Sequence, residues 1–120
     1  MAKVLVIDDD EVIADLLLSV LAEDGHSATS IPSLDGDRPQ GFDLVITDLL
    51  TASPYTVSDA SAWVAEVRRR VPGVPVIVCT AHRAAAKDGD GIAADAVLTK
   101  PFDLDVLLAL VQRLAPASRS

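Results

Sequence analysis

The 120-residue sequence predicts a doubly wound α/β fold with a five-stranded parallel sheet. Apolar runs of strand length recur five times, and the best of them are rich in Val and Ile without a polar interruption. Such runs are typical of strands that are buried on both faces. Helical segments separate several of the runs, and strands that alternate with helices form right-handed βαβ units. The five runs are KVLVID, HSATSI, FDLVITD, VPVIVCT and DAVLTK.

Three segments have the apolar spacing of amphipathic helices. We predict that the first ends at Gly25 and that Asp103 caps the third. We predict that Ser58 or Asp59 caps the second, which ends at Pro72-Gly73. The predicted inward-facing residues are Val12, Ile13, Leu16, Leu17, Val20 and Leu21 in the first helix, Ala60, Val64, Val67 and Val71 in the second, and Leu104, Leu107, Leu108, Val111 and Leu114 in the third.

Two of the crossovers between strands are poor helix formers. PSLDGDRPQG, between the second and third strands, contains two prolines and two glycines, and HRAAAKDGDGIAA, before the fifth strand, is interrupted by Gly89 and Gly91. We therefore expect the second helix of the fold to be short or missing and the fourth to be weak. Residues 1–116 are interpreted as one domain and residues 117–120 as a polar C-terminal tail.

The composition limits the classes of function. The formal net charge of −8 argues against a nucleic-acid surface, because neutralising phosphates requires a patch of Lys and Arg. The single cysteine, Cys79, cannot form an internal disulfide, and we expect it to be a small core residue. The longest apolar runs are shorter than the roughly 20 residues of a membrane span, and MAKVLVIDDD lacks the apolar core of a signal peptide. We therefore expect a soluble, cytoplasmic protein.

Chemically active side chains lie at the carboxyl ends of four predicted strands. Asp8 and Asp9 follow the first strand and Asp48 follows the third, while Thr80 ends the fourth and Lys100 follows the fifth. The second strand, which ends in TSIP, has no such residue. Ligands of open parallel sheets bind outside the carboxyl ends, where the strand order reverses. Because the order 2-1-3-4-5 puts the four active strands side by side, the sequence favours that order.

The acidic residues of VLVIDDDEV are crowded, and carboxylates so close repel one another by about 1 kcal/mol or more per pair at an effective dielectric constant near 20. A divalent cation would relieve the repulsion among Asp8, Asp9 and Asp48 and leave one carboxylate as a nucleophile toward phosphorus. Lys100 and the hydroxyl of Thr80 could then hold the phosphoryl oxygens. Each residue alone is typical of an ordinary strand end, but the whole set indicates a site for a cation and a phosphoryl group.

The chain resembles the receiver domains of two-component response regulators in four segments, which are VLVIDDDEVIADLLLSVLAEDGH, FDLVITDL, PVIVCTAH and AADAVLTKPF. The resemblance covers nearly the whole chain and implies a flavodoxin-like fold. It implies that Asp48 takes a phosphoryl group from a sensor histidine kinase or a phosphotransfer protein in the presence of Mg²⁺ or Mn²⁺. By the same resemblance Asp9 and Asp48 bind the metal, Asp8 holds it through water, and the backbone carbonyl of Leu50 completes the protein ligands.

The resemblance implies further roles around the acceptor. Thr80 and Lys100 would contact the phosphoryl group, and the peptide bond before Pro101 would be cis. The positions of His82 and Leu50 would tune the lifetime of the acyl phosphate. Such a module is not an enzyme in the usual sense, because it only phosphorylates and dephosphorylates itself slowly. It signals through a conformational switch to a downstream protein partner or output domain, which the sequence does not identify.

The chain departs from the family pattern at three positions. Thr51 and Ala52 stand where receivers usually have Met and Pro, so we expect the loop after the acceptor to differ in shape. Val97 occupies the position where an aromatic rotamer commonly reports phosphorylation. Since Val97 cannot swing as a ring does, the switch has to act through the loop after Thr80. A degenerate receiver that binds partners independently of phosphorylation is therefore an alternative.

An enzymatic alternative fits part of the same motif. DDDEV matches the D-x-D-x-[TV] signature of haloacid-dehalogenase-type phosphatases, in which Asp8 would be the nucleophile and Asp10 the general acid. Such enzymes need a further acidic pair on a strand beyond the lysine. Here KPFDLDVLLALV turns directly into a helix and the chain is short for that fold, so this interpretation is less favoured. In a receiver, Asp10 and Glu11 instead suit the positive N-terminal end of the first helix.

Overall fold

The computed structural model describes residues 3–32, 41–49, 56–80, 87, 92, 94–100 and 103–114. The elements in chain order are β1 (Lys3–Ile7), α1 (Glu11–Glu23), β2 (Ser27–Ile31), β3 (Leu44–Thr47), α2 (Val57–Arg70), β4 (Val76–Thr80), β5 (Ala96–Thr99) and α3 (Leu104–Leu114). The strands form one sheet in the order β2-β1-β3-β4-β5, and every neighbouring pair is parallel. The predicted fold class and strand order are confirmed.

The strand order reverses between β1 and β3. β1 pairs with β2 on one side and with β3 on the other, so Val4 lies between Ala28 and Leu44. From β1 the chain goes outward to β2, and from β3 it goes outward in the opposite direction to β5. Because all strands are parallel, their carboxyl ends meet at one edge of the sheet, and the ends of β1 and β3 are adjacent there.

Alternate residues of the strands build two hydrophobic cores, one on each face of the sheet. α1 and α3 cover one face, and its buried core contains Val4, Val6, Leu17, Leu21, Leu44, Ile46, Ile77, Cys79, Leu107 and Val111. α2 covers the other face, and its buried core contains Leu5, Ile7, Val45, Leu49, Ala60, Val64, Val67, Val71, Val76, Val78 and Ile92. Burial raises the pKa of the Cys79 thiol to about 12, so this thiol stays protonated as a core group.

Aspartate caps begin α1 and α3. Asp10 Oδ1 accepts hydrogen bonds from the backbone N–H groups two and three positions further on, at 3.0 and 3.3 Å. Asp103 Oδ1 accepts a hydrogen bond from the N–H of Asp105 at 2.8 Å, as predicted for the third helix. After α1 the chain turns at Gly25, whose φ of 89° suits a residue without a Cβ atom. The predicted end of the first helix is therefore confirmed.

The N-terminal cap of α2 differs from the prediction. Thr56 Oγ1 accepts a hydrogen bond from the N–H of Asp59 at 3.1 Å, so the predicted caps, Ser58 and Asp59, are wrong. Ser58 and Asp59 lie two and three residues after the cap, so both are already inside the first turn of the helix. The C-terminal end agrees with the prediction, since the helix ends before Val71 and the chain turns at Gly73, whose φ is 79°.

The buried face of α1 is narrower than predicted. Ala14, Leu17 and Leu21 are buried, whereas Val12 is 76% exposed and Leu16 is 46% exposed. A helix turns by about 100° per residue, so Leu16 points well away from the line through Leu17 and Leu21. The predicted inward orientation of Val12 and Leu16 is wrong. All four residues predicted to face inward from the second helix are buried, and Val71 among them lies directly after its end.

The two weak crossovers are only partly described. Between β2 and β3 the described residues 32 and 41–43 contain no helix, and residues 33–40 lie outside the description. Between β4 and β5 the described residues Lys87 and Ile92 are helical, and Ile92 is fully buried. None of the helices in the described part of the chain has both the length and the apolar composition needed to cross a membrane.

Two aspartates bind backbone groups at the amino edge of the sheet, opposite the predicted site. Asp43, just before β3, accepts a hydrogen bond from the N–H of Lys3 at 2.9 Å. Asp95, just before β5, accepts one from the N–H of Val76 at 2.7 Å and also pairs with Arg68 at 3.0 Å. Each aspartate therefore satisfies a backbone donor at the start of the neighbouring strand.

The cap of α2 can be tested by substitution. Thr56→Ala removes the acceptor of the Asp59 N–H and should lower the free energy of unfolding by about 1 kcal/mol, whereas Thr56→Ser keeps the hydroxyl and should change it little. Ser58→Ala is the matched control, because Ser58 does not cap the helix. Urea denaturation measures all three variants. A larger loss for Ser58→Ala than for Thr56→Ala would contradict the assigned cap.

Candidate functional site

Three aspartates meet where the strand order reverses. Asp8 and Asp9 follow β1, and Asp48 follows β3, with its backbone N–H donating to the carbonyl of Ile7 at 2.8 Å. Each aspartate offers one carboxylate oxygen, and these three oxygens lie within 4.8 Å of one another. The parallel pairing of β1 with β3 therefore brings together acids that are far apart in the sequence.

The carboxylate of Asp8 is held at both of its oxygens. Its side chain is only 3% exposed. Oδ1 accepts a hydrogen bond from the N–H of Asp10 at 2.9 Å, and Oδ2 lies 3.1 Å from Nζ of Lys100. A buried carboxylate needs such charged and hydrogen-bonding partners to offset its desolvation. Asp8 is thus an oriented, buried carboxylate with a partner at each oxygen, which makes it a poorer nucleophile than a free carboxylate.

Asp48 presents a more accessible carboxylate, with a side chain that is 21% exposed. Its Oδ1 accepts a hydrogen bond from the N–H of Leu49 at 2.9 Å and lies 3.8 Å from Nζ of Lys100. Within the described residues Oδ2 has no hydrogen-bond partner, so this oxygen can bind a cation or attack an electrophile. Burial raises the pKa of Asp48, and together with the charges of Asp8 and Asp9 it outweighs the lowering by Lys100 and Leu49.

Lys100 reaches the acids from the end of β5. Its backbone N–H donates to the carbonyl of Thr80 at 2.7 Å, which places it beside the last residue of β4. Thr80 is fully buried. The ammonium group lies 3.1 Å from Asp8 and 3.8 Å from Asp48, and the carboxylate of Asp9 is clustered with these two. Among the described residues, the cluster thus pairs three carboxylates with one ammonium group. The cluster keeps a surplus of negative charge that a cation would neutralise.

A cleft of about 380 Å³ opens beside these acids on the side of β2. Its wall includes Asp8, Asp9, Glu11, Asp15 and Ser30. A concave wall of carboxylates concentrates cations, and hard divalent cations prefer oxygen ligands. The arrangement can therefore hold such a cation at the three aspartates, next to a carboxylate able to act as a nucleophile.

Several predicted site residues lie outside the described residues. Residues 50–55, which include Leu50 and two departures from the family pattern, are among them, as are His82 and Pro101. The roles assigned to these residues stay predictions. Val97 is described, and it lies in β5, partly buried against the core on the face of α2. Val97 lies three residues before Lys100, which directly follows the same strand.

Asp10 has a structural role that conflicts with the phosphatase interpretation. Its carboxylate accepts hydrogen bonds from the first turn of α1, and its N–H donates to Asp8. The two residues that a phosphatase would use as general acid and nucleophile are thus engaged in capping and in an ion pair. The geometry favours Asp48 as the reactive carboxylate.

Two residues beside the acceptor were missed in the sequence. Thr47 is fully buried, its hydroxyl donates to the backbone carbonyl of Asp48 at 2.7 Å, and it accepts a hydrogen bond from Nε1 of Trp63 at 2.9 Å. The available signals were a hydroxyl at the end of an apolar strand and an indole one position before Val64 on the inward stripe of α2. Neither signal alone tells whether the residue is a core residue with its hydrogen bonds satisfied or a residue that supports a functional site.

The family model of the response regulator receiver domain matches residues 4–112. The chain belongs to this family. Receiver domains are signalling modules that accept a phosphoryl group, and they are not enzymes in the usual sense. They work with histidine kinases or phosphotransfer proteins, so the predicted class of function is confirmed at the level of the family.

Similar curated proteins are longer than this chain. The response regulator protein FleR of Pseudomonas aeruginosa is 31% identical over 120 residues, covering 95% of this chain and 24% of FleR. The transcriptional regulatory protein GlrR of Escherichia coli is 33% identical over 130 residues, covering 98% of this chain and 28% of GlrR. The receiver chain thus spans about a quarter of the length of each of these relatives.

A solved structure of similar fold is that of the response regulator TrrA from Thermotoga maritima, in complex with Mg²⁺-BeF. It is 28% identical to this chain, the TM-score is 0.74, and the match covers 95% of this chain and 99% of TrrA. The similarity extends over nearly the whole receiver fold.

The pKa of Asp48 predicts a pH dependence of stability in the metal-free receiver. Because its folded-state pKa lies above the ordinary value of 3.8, the folded state binds more protons than the unfolded state between the two values. The wild type should therefore lose stability relative to Asp48→Asn as the pH rises through that window. Urea denaturation with a chelator present should show Asp48→Asn as the more stable protein at neutral pH, with the difference vanishing below pH 3.8. Equal stability at neutral pH would contradict the assigned shift.

Proposed function

We propose that this receiver takes a phosphoryl group onto Asp48 from a sensor histidine kinase or a phosphotransfer protein. The observation that carries the proposal is the environment of Asp48. Its carboxylate lies with those of Asp8 and Asp9 at the strand reversal, and its Oδ1 is held by the N–H of Leu49 and lies near Lys100. The second oxygen, Oδ2, is left available within the described residues.

The reaction is proposed to require Mg²⁺, for which Mn²⁺ can substitute. Asp9 and Asp48 would bind the ion directly, Asp8 through water, and Leu50 through its backbone carbonyl. The three carboxylates fit this role, since they are hard oxygen donors with a surplus of negative charge. When bound, the ion supplies positive charge that offsets repulsion between the acids and the incoming phosphoryl group. The presence of Mg²⁺-BeF in the related TrrA structure supports this choice.

In the transfer step, Asp48 Oδ2 donates an electron pair to phosphorus and forms the new O–P bond. The bond between phosphorus and the imidazole nitrogen of the donor breaks, and the two electrons of that N–P bond leave with the imidazole. Lys100 lies close enough to both Asp8 and Asp48 to turn toward the phosphoryl oxygens as negative charge arrives. The hydroxyl of Thr80 would bind another of these oxygens.

Phosphorylation would be transmitted by the loop that follows Thr80. The modification adds roughly −1.5 to −2 charges at neutral pH, and the Thr80 hydroxyl would turn toward them. Val97 has no ring that could change rotamer with the signal, so the backbone after β4 would carry the change to a downstream protein partner or output domain. No direct contact with nucleic acid or membrane is part of this proposal.

The metal ligands can be tested by binding. Mg²⁺ at about 100 times its dissociation constant should stabilise the wild type by about 2.7 kcal/mol, because it binds only the folded state. Asp9→Asn should lose most of this gain. Asp10→Asn is the matched control, because it removes an adjacent charge while Asn still caps α1, and it should keep the gain. Thermal denaturation in a Mg²⁺ series measures the effect, and equal stabilisation of Asp9→Asn and wild type would rule out Asp9 as a ligand.

The phosphoacceptor can be tested by intact-mass analysis after incubation with acetyl phosphate. We expect one added phosphoryl group per wild-type chain with Mg²⁺ and none with a chelator. Asp48→Asn should remove the increment completely, because its amide is not a competent nucleophile.

The other outcomes of this experiment select between the alternatives. An increment that survives Asp48→Asn but is lost in Asp8→Asn would favour a phosphatase-type nucleophile. A folded wild type that binds Mg²⁺ but gains no mass from acetyl phosphate or from a phosphorylated histidine donor would favour a phosphorylation-independent interaction module.

A further inference from the structure

A chain of hydrogen bonds connects α2 to the carboxylate of Asp48. The indole N–H of Trp63 donates to Thr47 Oγ1 at 2.9 Å, and the Thr47 hydroxyl donates to the carbonyl of Asp48 at 2.7 Å. That carbonyl belongs to the peptide group between Asp48 and Leu49, whose N–H donates to Asp48 Oδ1 at 2.9 Å. The peptide group is therefore bonded at its oxygen to Thr47, which Trp63 of α2 holds in turn, and at its nitrogen to the acceptor carboxylate.

The direction of this chain follows from the chemistry of its members. An indole N–H can only donate, so the Thr47 oxygen has to accept from Trp63. The single hydroxyl proton of Thr47 is then available for the carbonyl of Asp48. A carbonyl that accepts a hydrogen bond polarises its amide, which strengthens the bond that the N–H makes at the other end. All three bonds therefore reinforce one another toward Asp48 Oδ1.

The fold places the members of this chain by strand alternation. Val45 and Thr47 point to the same face of the sheet, which α2 covers, while Ile46 points to the other face. Trp63 is partly buried against the same core as its neighbour Val64. A fully buried hydroxyl costs free energy unless it is bonded, and a valine would fill this position of an apolar strand without that cost. The presence of a hydroxyl at Thr47 is explained by the bonds that it makes to Trp63 and Asp48.

We infer that Thr47 and Trp63 are positioning residues for phosphoryl transfer, holding the peptide group that orients the Asp48 carboxylate. The inference rests on the proposed role of Asp48 as phosphoacceptor and adds two residues that act on it indirectly. With Oδ1 fixed by the peptide N–H, Oδ2 is directed toward the donor. Loss of either bond of the relay would leave Asp48 in place but widen the range of orientations of its carboxylate, which lowers the rate of attack.

The rate of phosphorylation by acetyl phosphate at saturating Mg²⁺ tests this role. Thr47→Val removes the hydroxyl with nearly the same shape, and Trp63→Phe removes the indole donor. Each should slow phosphorylation about fivefold, the factor expected from losing one ordinary hydrogen bond. The double variant should be no slower than Thr47→Val alone, because both substitutions break the same relay. Thr47→Ser restores the hydroxyl and should bring the rate back to that of the wild type.

Two controls separate positioning from a loss of stability. Val64→Ala removes packing next to Trp63 without touching the relay, so it should lower the free energy of unfolding and leave the rate unchanged. Trp63 is the only tryptophan of the chain, so its fluorescence reports the relay directly. Adding Mg²⁺ and beryllofluoride should shift its emission in the wild type and in Thr47→Ser, and much less in Thr47→Val.

The outcomes distinguish this inference from the proposed function. A wild type that is phosphorylated, with Thr47→Val and Trp63→Phe reacting at the same rate, would overturn the positioning role and leave the acceptor intact. A rate in Val64→Ala that falls as far as in Thr47→Val would equally overturn it, because loss of packing would then explain both. A wild type that gains no phosphoryl group would overturn the proposed function and the positioning role together.

Discussion

The parallel pairing of β1 with β3 is the constraint on which the site depends. Its register sets Ile7 opposite Thr47, so the chain leaves both strands at the same level, at Asp8 and at Asp48. A shift of one residue would move one acid along the strand by about 3.3 Å and exchange the faces of every side chain on that strand. The two hydrophobic cores, which cover both faces, therefore fix the acids indirectly by fixing the register.

The described residues of the site carry more negative than positive charge. Within the described residues, Lys100 is the cation that pairs with Asp8 and Asp48, and Asp9 adds a third carboxylate beside them. Burial and the neighbouring acids raise the pKa of Asp48 against the opposing effects of Lys100 and Leu49. Such an arrangement is costly to the empty fold and favourable to a cation or to an electrophile that consumes the negative charge. The backbone contributes as well, since one peptide group joins Asp48 Oδ1 to the hydroxyl of Thr47. The repulsion that lowers the stability of the metal-free fold is thus confined to the carboxyl edge of the sheet, where the reactive carboxylate lies.

The fold and the acidic centre were predictable from the sequence, because strand-end positions in a parallel sheet are fixed by the apolar runs before them. Asp8, Asp9, Asp48 and Lys100 followed from this rule alone. The cap of α2 was not predictable, because Thr56, Ser58 and Asp59 are all able to cap a helix. Which of them does so depends on where the backbone becomes helical. The exposure of Leu16 and the bond between Trp63 and Thr47 depend on how helices rest on the sheet, which one sequence does not specify.

The aspartates at the amino edge of the sheet have a structural role, unlike the reactive aspartates at the carboxyl edge. Asp43 and Asp95 bind backbone N–H groups of Lys3 and Val76 there, about 16 Å from the acids at the other edge, the length of a five-residue strand. Substitutions at that edge can adjust the melting temperature of the domain without entering the field of the reactive carboxylates. In evolution, stability can therefore be adapted by substitutions at the amino edge while the reactive groups at the carboxyl edge stay the same.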